Sequence, residues 1–170
     1  MGHDFMHIIK ELTHADIKNI IILQKEIISL INEESWFYPA RTDELEDIIN
    51  STGHAIGLYI DESLIGYATI IYCSKDNQLS KMFDIPNKYK PLTAILDDVA
   101  ILPQYRGKRY QLLLWNYITL HFCSKIKFLL SSIHPDNIAS LKNAFYFDMT
   151  ITSQKKMYNN VPRYILLKKL

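Results

Sequence analysis

At 170 residues, with 48% apolar side chains, five glycines and six prolines, the chain has the length of one domain, 1–170, and enough apolar material for a core that needs no disulfide or metal. That composition excludes disordered, collagenous and low-complexity classes. A formal net charge of +1 provides no global field to draw nucleic acid or an anionic membrane, so any electrostatic steering is local.

In chain order, His7 to Leu12 reads as a strand. Thr13 then caps a helix whose Ile17, Ile20, Ile21, Ile27, Ile28 and Ile31 recur at helical spacing. The period breaks over 32–42, an acidic and aromatic loop holding Glu33, Glu34, Trp36, Phe37 and Tyr38. A second helix starts at Thr42 and runs to about Asn50, where Thr52-Gly53 stops it. Segments 55–60 and 64–72 form a hairpin around Asp61-Glu62-Ser63. The polar, proline-bearing stretch 74–91 reads as a functional loop, because apolar strands flank it. Next come a strand at 92–102, a helix from Lys108 to about Ser124, and a strand at 127–133. His134-Pro135-Asp136-Asn137 turns into a helix from Ile138 to about Phe147, and strands at 150–157 and 163–167 close the chain. The order predicts an α/β fold, a mixed sheet with helices on both faces. The two cysteines, Cys73 and Cys123, stand among apolar residues and read as buried thiols of a reducing compartment. The apolar runs are too short to span a bilayer and the N-terminus has no h-region, which predicts a cytoplasmic protein with no membrane partner.

The stretch from Ile95 to Gln111 carries the chemistry. An apolar strand stops at Pro103 and feeds a helix through a turn containing Arg106, Gly107, Lys108 and Arg109. Open backbone amides, a helix N-terminus and three cations together suit a phosphate group. Read without context, the same turn is a solvated helix start. The helix dipole disfavours cations at that end, however, and a bound anion removes the conflict. Lys88 or Lys90 in the preceding loop would add to such a seat. The chain has no G-x-x-x-x-G-K-S/T and no G-x-G-x-x-G, which argues against other nucleotide-phosphate classes.

Val99-Ala100-Ile101-x-Pro103-x-x-Arg106-Gly107-Lys108 resembles the V-A-V-x-P-x-x-R-G-x-G-x-G/A signature of the GNAT superfamily of acyl-CoA N-acyltransferases. His134-Pro135-Asp136-Asn137-Ile138-Ala139-Ser140 is similar to the family's strand-end N-x-x-A/S segment. The resemblance implies a mixed, mostly antiparallel sheet of about seven strands, and acetyl-CoA as co-substrate with no metal. Val99, Ala100 and Ile101 would pair with the pantetheine arm, and Arg106, Gly107, Lys108, Arg109, Tyr110 and Gln111 would wrap the pyrophosphate. Asn137 would hold the pantetheine or acetyl region. Arg109 and Gln111 stand where the family has glycine. Arg109 is therefore expected either to keep helical geometry with its side chain outward, or to replace part of the amide cradle by an ion pair.

Ala144 stands where relatives often carry an acid-supplying tyrosine, and Tyr146 lies roughly 200° further round the helix. Tyr146 is a candidate acid or a tyrosine packed in the core. Asp97 and Asp98 are each a candidate base or a structural carboxylate bonded to loop amides, and strand alternation lets at most one face the acetyl group. His134 is a third candidate base or a turn residue. Asp148-Met149 replaces the family's Gly-Phe after the last helix, which predicts a different local backbone. Glu33, Glu34, Trp36, Phe37 and Tyr38, with Tyr72 and Tyr89, are read as an acceptor pocket for a cationic amine or as an aromatic plug on the core. The expected function is transfer of acetyl from acetyl-CoA to a primary amine of a small molecule or peptide, directly through a tetrahedral intermediate. The alternative is a non-catalytic acyl-CoA-binding module. Near-zero charge gives no nucleic-acid partner, and a homodimer stays open.

Overall fold

The computed structural model describes residues 7–33, 36–74 and 77–170. Seven strands form one sheet: β1 (His7–Leu12), β2 (Gly53–Ile60), β3 (Ser63–Tyr72), β4 (Thr93–Ile101), β5 (Phe128–Ile133), β6 (Thr150–Met157) and β7 (Val161–Lys169). Their order is β1-β2-β3-β4-β5-β7-β6. Every neighbouring pair is antiparallel except β4 with β5. The helices are α1 (Ile17–Leu30), α2 (Thr42–Asp47), α3 (Gln78–Met82), α4 (Tyr110–Phe122) and α5 (Ile138–Tyr146).

Tyr67 and Tyr72 lie five positions apart on β3 and so point to opposite faces. The Tyr67 hydroxyl meets Gln24 of α1, whereas the Tyr72 hydroxyl donates to the Phe122 carbonyl at the end of α4. Helices therefore cover both faces. The core lies between them and the sheet, with Ile20, Leu45, Ile56, Leu58, Ile70, Leu114, Ile118 and Leu166 fully buried. Among the described residues no helix is long and apolar enough to cross a membrane.

Several boundaries differ from the sequence expectation for local reasons. Thr13 caps a short 3-10 turn, His14–Asp16, whose Asp16 carboxylate accepts the Thr13 N–H, so α1 begins at Ile17. The second helix gives way at Ile48 to a wide turn, Ile48–Thr52, where Ser51 and Thr52 hydroxyls bond Asp47. The 74–91 stretch holds α3, which the Asn77 side chain caps by accepting the Ser80 N–H. The last strand is longer than its apolar run because β7 pairs on both sides, with β5 and with β6. The β2–β3 turn is the two residues Asp61 and Glu62, both at positive φ, as a tight hairpin requires.

Two features position the site. β4 and β5 pair only at Thr93↔Phe128, Ala94↔Leu129 and Ile95↔Leu130. Beyond that point they part, and a bond from the Ser131 hydroxyl to the Leu96 carbonyl spans the start of the gap. Second, β4 is bulged. Ile70 pairs with Leu96 and Ala68 with Val99, so Thr69 alone opposes both Asp97 and Asp98. The Thr69 hydroxyl accepts the Asp98 N–H in place of a ladder bond.

Candidate active site

A cavity of about 430 Å³ opens where β4 and β5 part. Val99, Ala100 and Ile101 of β4, Ser131 to Ile133 of β5, and the turn residues Arg106, Gly107, Arg109, Tyr110 and Gln111 line it. Asn137, Tyr146, Glu33, Trp36, Phe37, Tyr38 and both aspartates also reach it. The structure thus brings together most of the residues singled out by sequence. Glu34 lies outside the described residues.

The basic turn owes its shape to left-handed backbone. Gly107 has φ 80° and Arg109 has φ 60° with ψ 23°, so helical geometry begins only at Tyr110. Arg109 therefore does not keep the helical geometry of the first expectation: it takes the conformation glycine would, it lines the cavity, and its guanidinium lies 5.5 Å from the Tyr146 ring centroid. Left-handed geometry costs a non-glycine residue roughly 1–2 kcal/mol. The first helical bond from this segment runs from the Leu113 N–H to the Arg109 carbonyl, and the amides before it have no intrahelical acceptor. Arg106 is braced by donating from Nε to the Ile101 carbonyl, and burial lowers its pKa. The Lys108 side chain is not part of the lining; its ammonium sits 6.0 Å from the Tyr105 ring centroid. Lys88 and Lys90 are absent from the lining too, and Lys88 lies against Tyr89.

An anionic, amide-bearing ligand fits this groove on an independent observation. Gln111 and Trp115 line the cavity, and Gln111 Nε2 and Trp115 Nε1 are buried donors that meet no acceptor among the described residues. The other end of the Gln111 amide is fixed, accepting from Asn143 of α5. Asn137 caps α5 by accepting the Ser140 N–H, which leaves its amide nitrogen for another partner.

The two aspartates have different environments. Asp98 is 5% exposed and accepts from the Tyr67 hydroxyl at 2.5 Å and the Ala40 N–H at 2.9 Å. Gln24 completes the network by donating to Tyr67 and to the Ala40 carbonyl. Burial pushes Asp98 up to about 6, against the opposing effect of those two donors. Asp97 has one long contact, 3.5 Å from the Tyr158 hydroxyl. Burial, then the charges of Asp98 and Glu44, raise it well above the ordinary carboxylate value. Of the two, Asp97 is the less tied by hydrogen bonds among the described residues.

The remaining candidates separate by position. His134 is a turn residue outside the cavity lining: its Nδ1 accepts the Asp136 N–H, and its ring faces Trp36 at 6.5 Å. Tyr146 is 69% exposed at the groove rim, not packed in the core, while Ala144 is fully buried. Asp148 holds φ 61°, the conformation a glycine would take. Met149 N–H bonds to the Ala144 carbonyl and Asp148 N–H to the Phe145 carbonyl, so the helix closes in the bonding pattern that usually carries glycine at the Asp148 position. Tyr72 and Tyr89 serve elsewhere, under α4 and against Phe128.

Sequence reasoning missed Tyr158 and Arg163, which flank the β6–β7 turn and enter the same cavity. The Tyr158 ring stacks on Tyr38 with centroids 4.9 Å apart, and the Arg163 guanidinium lies 5.2 Å from the Tyr158 centroid. Arg163 also donates to the Trp36 carbonyl, tying the aromatic loop to β7. The turn signal Asn159-Asn160 was readable, but not that it delivers a tyrosine across β5.

No family model matches the sequence, and no curated protein matches it. Solved structures do match in fold. A GNAT-family acetyltransferase from Streptococcus pneumoniae superimposes with a TM-score of 0.73 at 11% identity, over 97% of this chain and 100% of that one. NAA60 of Arabidopsis thaliana, in complex with a bisubstrate analogue, gives 0.72 at 11% identity, over 96% and 98%. yncA of Salmonella typhimurium, solved with its cofactor acetyl-CoA, gives 0.70 at 14%, over 97% and 94%. The fold is that of the GNAT-family acetyltransferases.

Proposed function

We propose that this chain transfers an acetyl group from acetyl-CoA to a primary amine, by direct attack and without an acyl-enzyme. The observation that carries this reading is the parting of β4 from β5 with two facing ends: an amide-rich basic turn at one and the Asp97 carboxylate at the other. A pantetheine arm added to the free edge of β4 at Val99 to Ile101 makes main-chain hydrogen bonds as a strand would. Its pyrophosphate then meets the open amides and Arg106 at the start of α4, and Gln111 Nε2 supplies a further donor.

The amine approaches from the side of Glu33, Trp36, Phe37 and Tyr38. Asp97 accepts its proton as nitrogen attacks the thioester carbonyl. A raised pKa makes Asp97 a better base than a surface carboxylate, and holding both substrates in one cavity supplies much of the acceleration. Cys73 and Cys123 support direct transfer, because burial pushes their thiols up to about 12 and about 11, and neither lines the cavity.

The test is Arg106→Glu. It is expected to weaken acetyl-CoA at least about tenfold, while acetyl-pantetheine, which lacks the pyrophosphate, changes by less than about threefold. Equal losses for both compounds in calorimetry would remove Arg106 and its turn from the pyrophosphate seat.

A further inference from the structure

Direct transfer needs a proton for the departing thiolate, and the α5 position at which the family's acid stands offers none. Ala144 has no hydroxyl, and Tyr146 lies at the solvent rim beneath Arg109. A different hydroxyl reaches the gap. The Tyr158 side chain enters the opening from the β6–β7 turn, lining it together with Ser132 of β5, and its hydroxyl lies 3.5 Å from Asp97 Oδ1 on β4. Asp97 and Ser132 stand on opposite sides of the opening that begins after the Ile95↔Leu130 pair, so this one phenol bridges the space between the strands. Its ring is held by the stack on Tyr38 and by the Arg163 guanidinium. Its approach is fixed by three consecutive left-handed residues, Tyr158, Asn159 and Asn160, at φ 46°, 59° and 70°.

Resting on the acetyl-transfer reading, we infer that Tyr158 is the general acid that protonates the coenzyme A sulfur. Nitrogen attack forms the C–N bond, and the amine proton goes to the Asp97 carboxylate. As the tetrahedral intermediate collapses the C–S bond breaks, its electron pair stays on sulfur, and the Tyr158 O–H proton passes to that sulfur. Asp97 returns its proton to the phenol oxygen across their shared contact, so the pair ends as it began. Burial and the neighbouring Asp97 charge keep the Tyr158 phenol protonated in the resting site; once Asp97 has taken the amine proton that charge is gone, and the proton Asp97 passes to the phenol oxygen in the same step lets the phenol release its own to sulfur.

The experiment uses the full chain, acetyl-CoA and an amine that the wild type acetylates. Tyr158→Phe keeps the stack and is expected to lower kcat roughly 100-fold while the acetyl-CoA Kd moves less than about threefold. Replacing Tyr158 with 3,5-difluorotyrosine keeps the hydroxyl but makes it more acidic. It is expected to restore activity at neutral pH and add an alkaline fall in kcat that the wild type lacks, which a merely structural tyrosine would not do. A Tyr158→Phe enzyme within about threefold of wild-type kcat, or a difluorotyrosine profile identical to the wild type's, would overturn the assignment and leave acetyl transfer standing. A wild type that binds acetyl-CoA but acetylates no amine would overturn both.

Discussion

Asp97 and Asp98 are adjacent and of one chemical type, yet a bulge opposite Thr69 gives them separate duties. Asp98 fixes the Ala40 peptide, whose N–H it accepts while Gln24 takes the carbonyl. Asp97 faces the cavity, so Asp97→Asn is expected to cut kcat by about 10²-fold. Wild-type kcat/KM should rise with pH through the raised Asp97 pKa, and a pH–rate profile of both proteins checks it. Stability carries the opposite sign. A carboxyl whose folded pKa lies above its ordinary 3.8 binds its proton more tightly when folded, so it costs stability as pH rises from there through the folded value. Asp97→Asn should therefore melt higher than wild type at pH 8, with an advantage that shrinks as pH falls toward 4, read by calorimetry. Which aspartate takes which role was not legible from Asp97-Asp98 as a dipeptide, because the bulge exists only once β3 supplies Thr69.

The strand–turn–helix element from β4 to α4 was the most legible part of the chain. Its apolar run, Pro103 and the basic turn are all local signals. Its backbone was not: of the two readings of Arg109 the helical one fails, since the residue is left-handed where the turn geometry outweighs its preference. Arg109→Gly should stabilise the fold by about 1 kcal/mol in denaturant unfolding. Acetyl-CoA affinity within about threefold of wild type would mean that amides carry the phosphate contact, whereas a loss above about tenfold would assign it to the guanidinium. The end of α5 repeats the lesson, since Asp148 holds glycine's conformation. The loop over 36–41 depends on the Gln24–Tyr67–Asp98 network, so Tyr67→Phe should cost about 1–3 kcal/mol and raise KM for the amine more than for acetyl-CoA. Steady-state kinetics separates the two.

Across the whole molecule, element order foretold a mixed sheet with helices on both faces, since strand and helix periodicities are written locally. Long-range register was not readable. The β6–β7 hairpin sets Tyr158 and Arg163 against a loop more than a hundred positions away in sequence, through the bond from Arg163 to Trp36 and the stack on Tyr38. The site is therefore a property of the closed sheet, in which β7 lies beside β5 and the gap between β4 and β5 is left open. The most direct test of this account is amine-dependent release of free thiol from acetyl-CoA by the wild-type chain over a panel of primary amines. The account predicts release that rises with amine concentration and a matching yield of N-acetylated product. Tight acetyl-CoA binding with thiol release no faster than spontaneous hydrolysis, for every amine, would contradict it and leave an acyl-CoA-binding module.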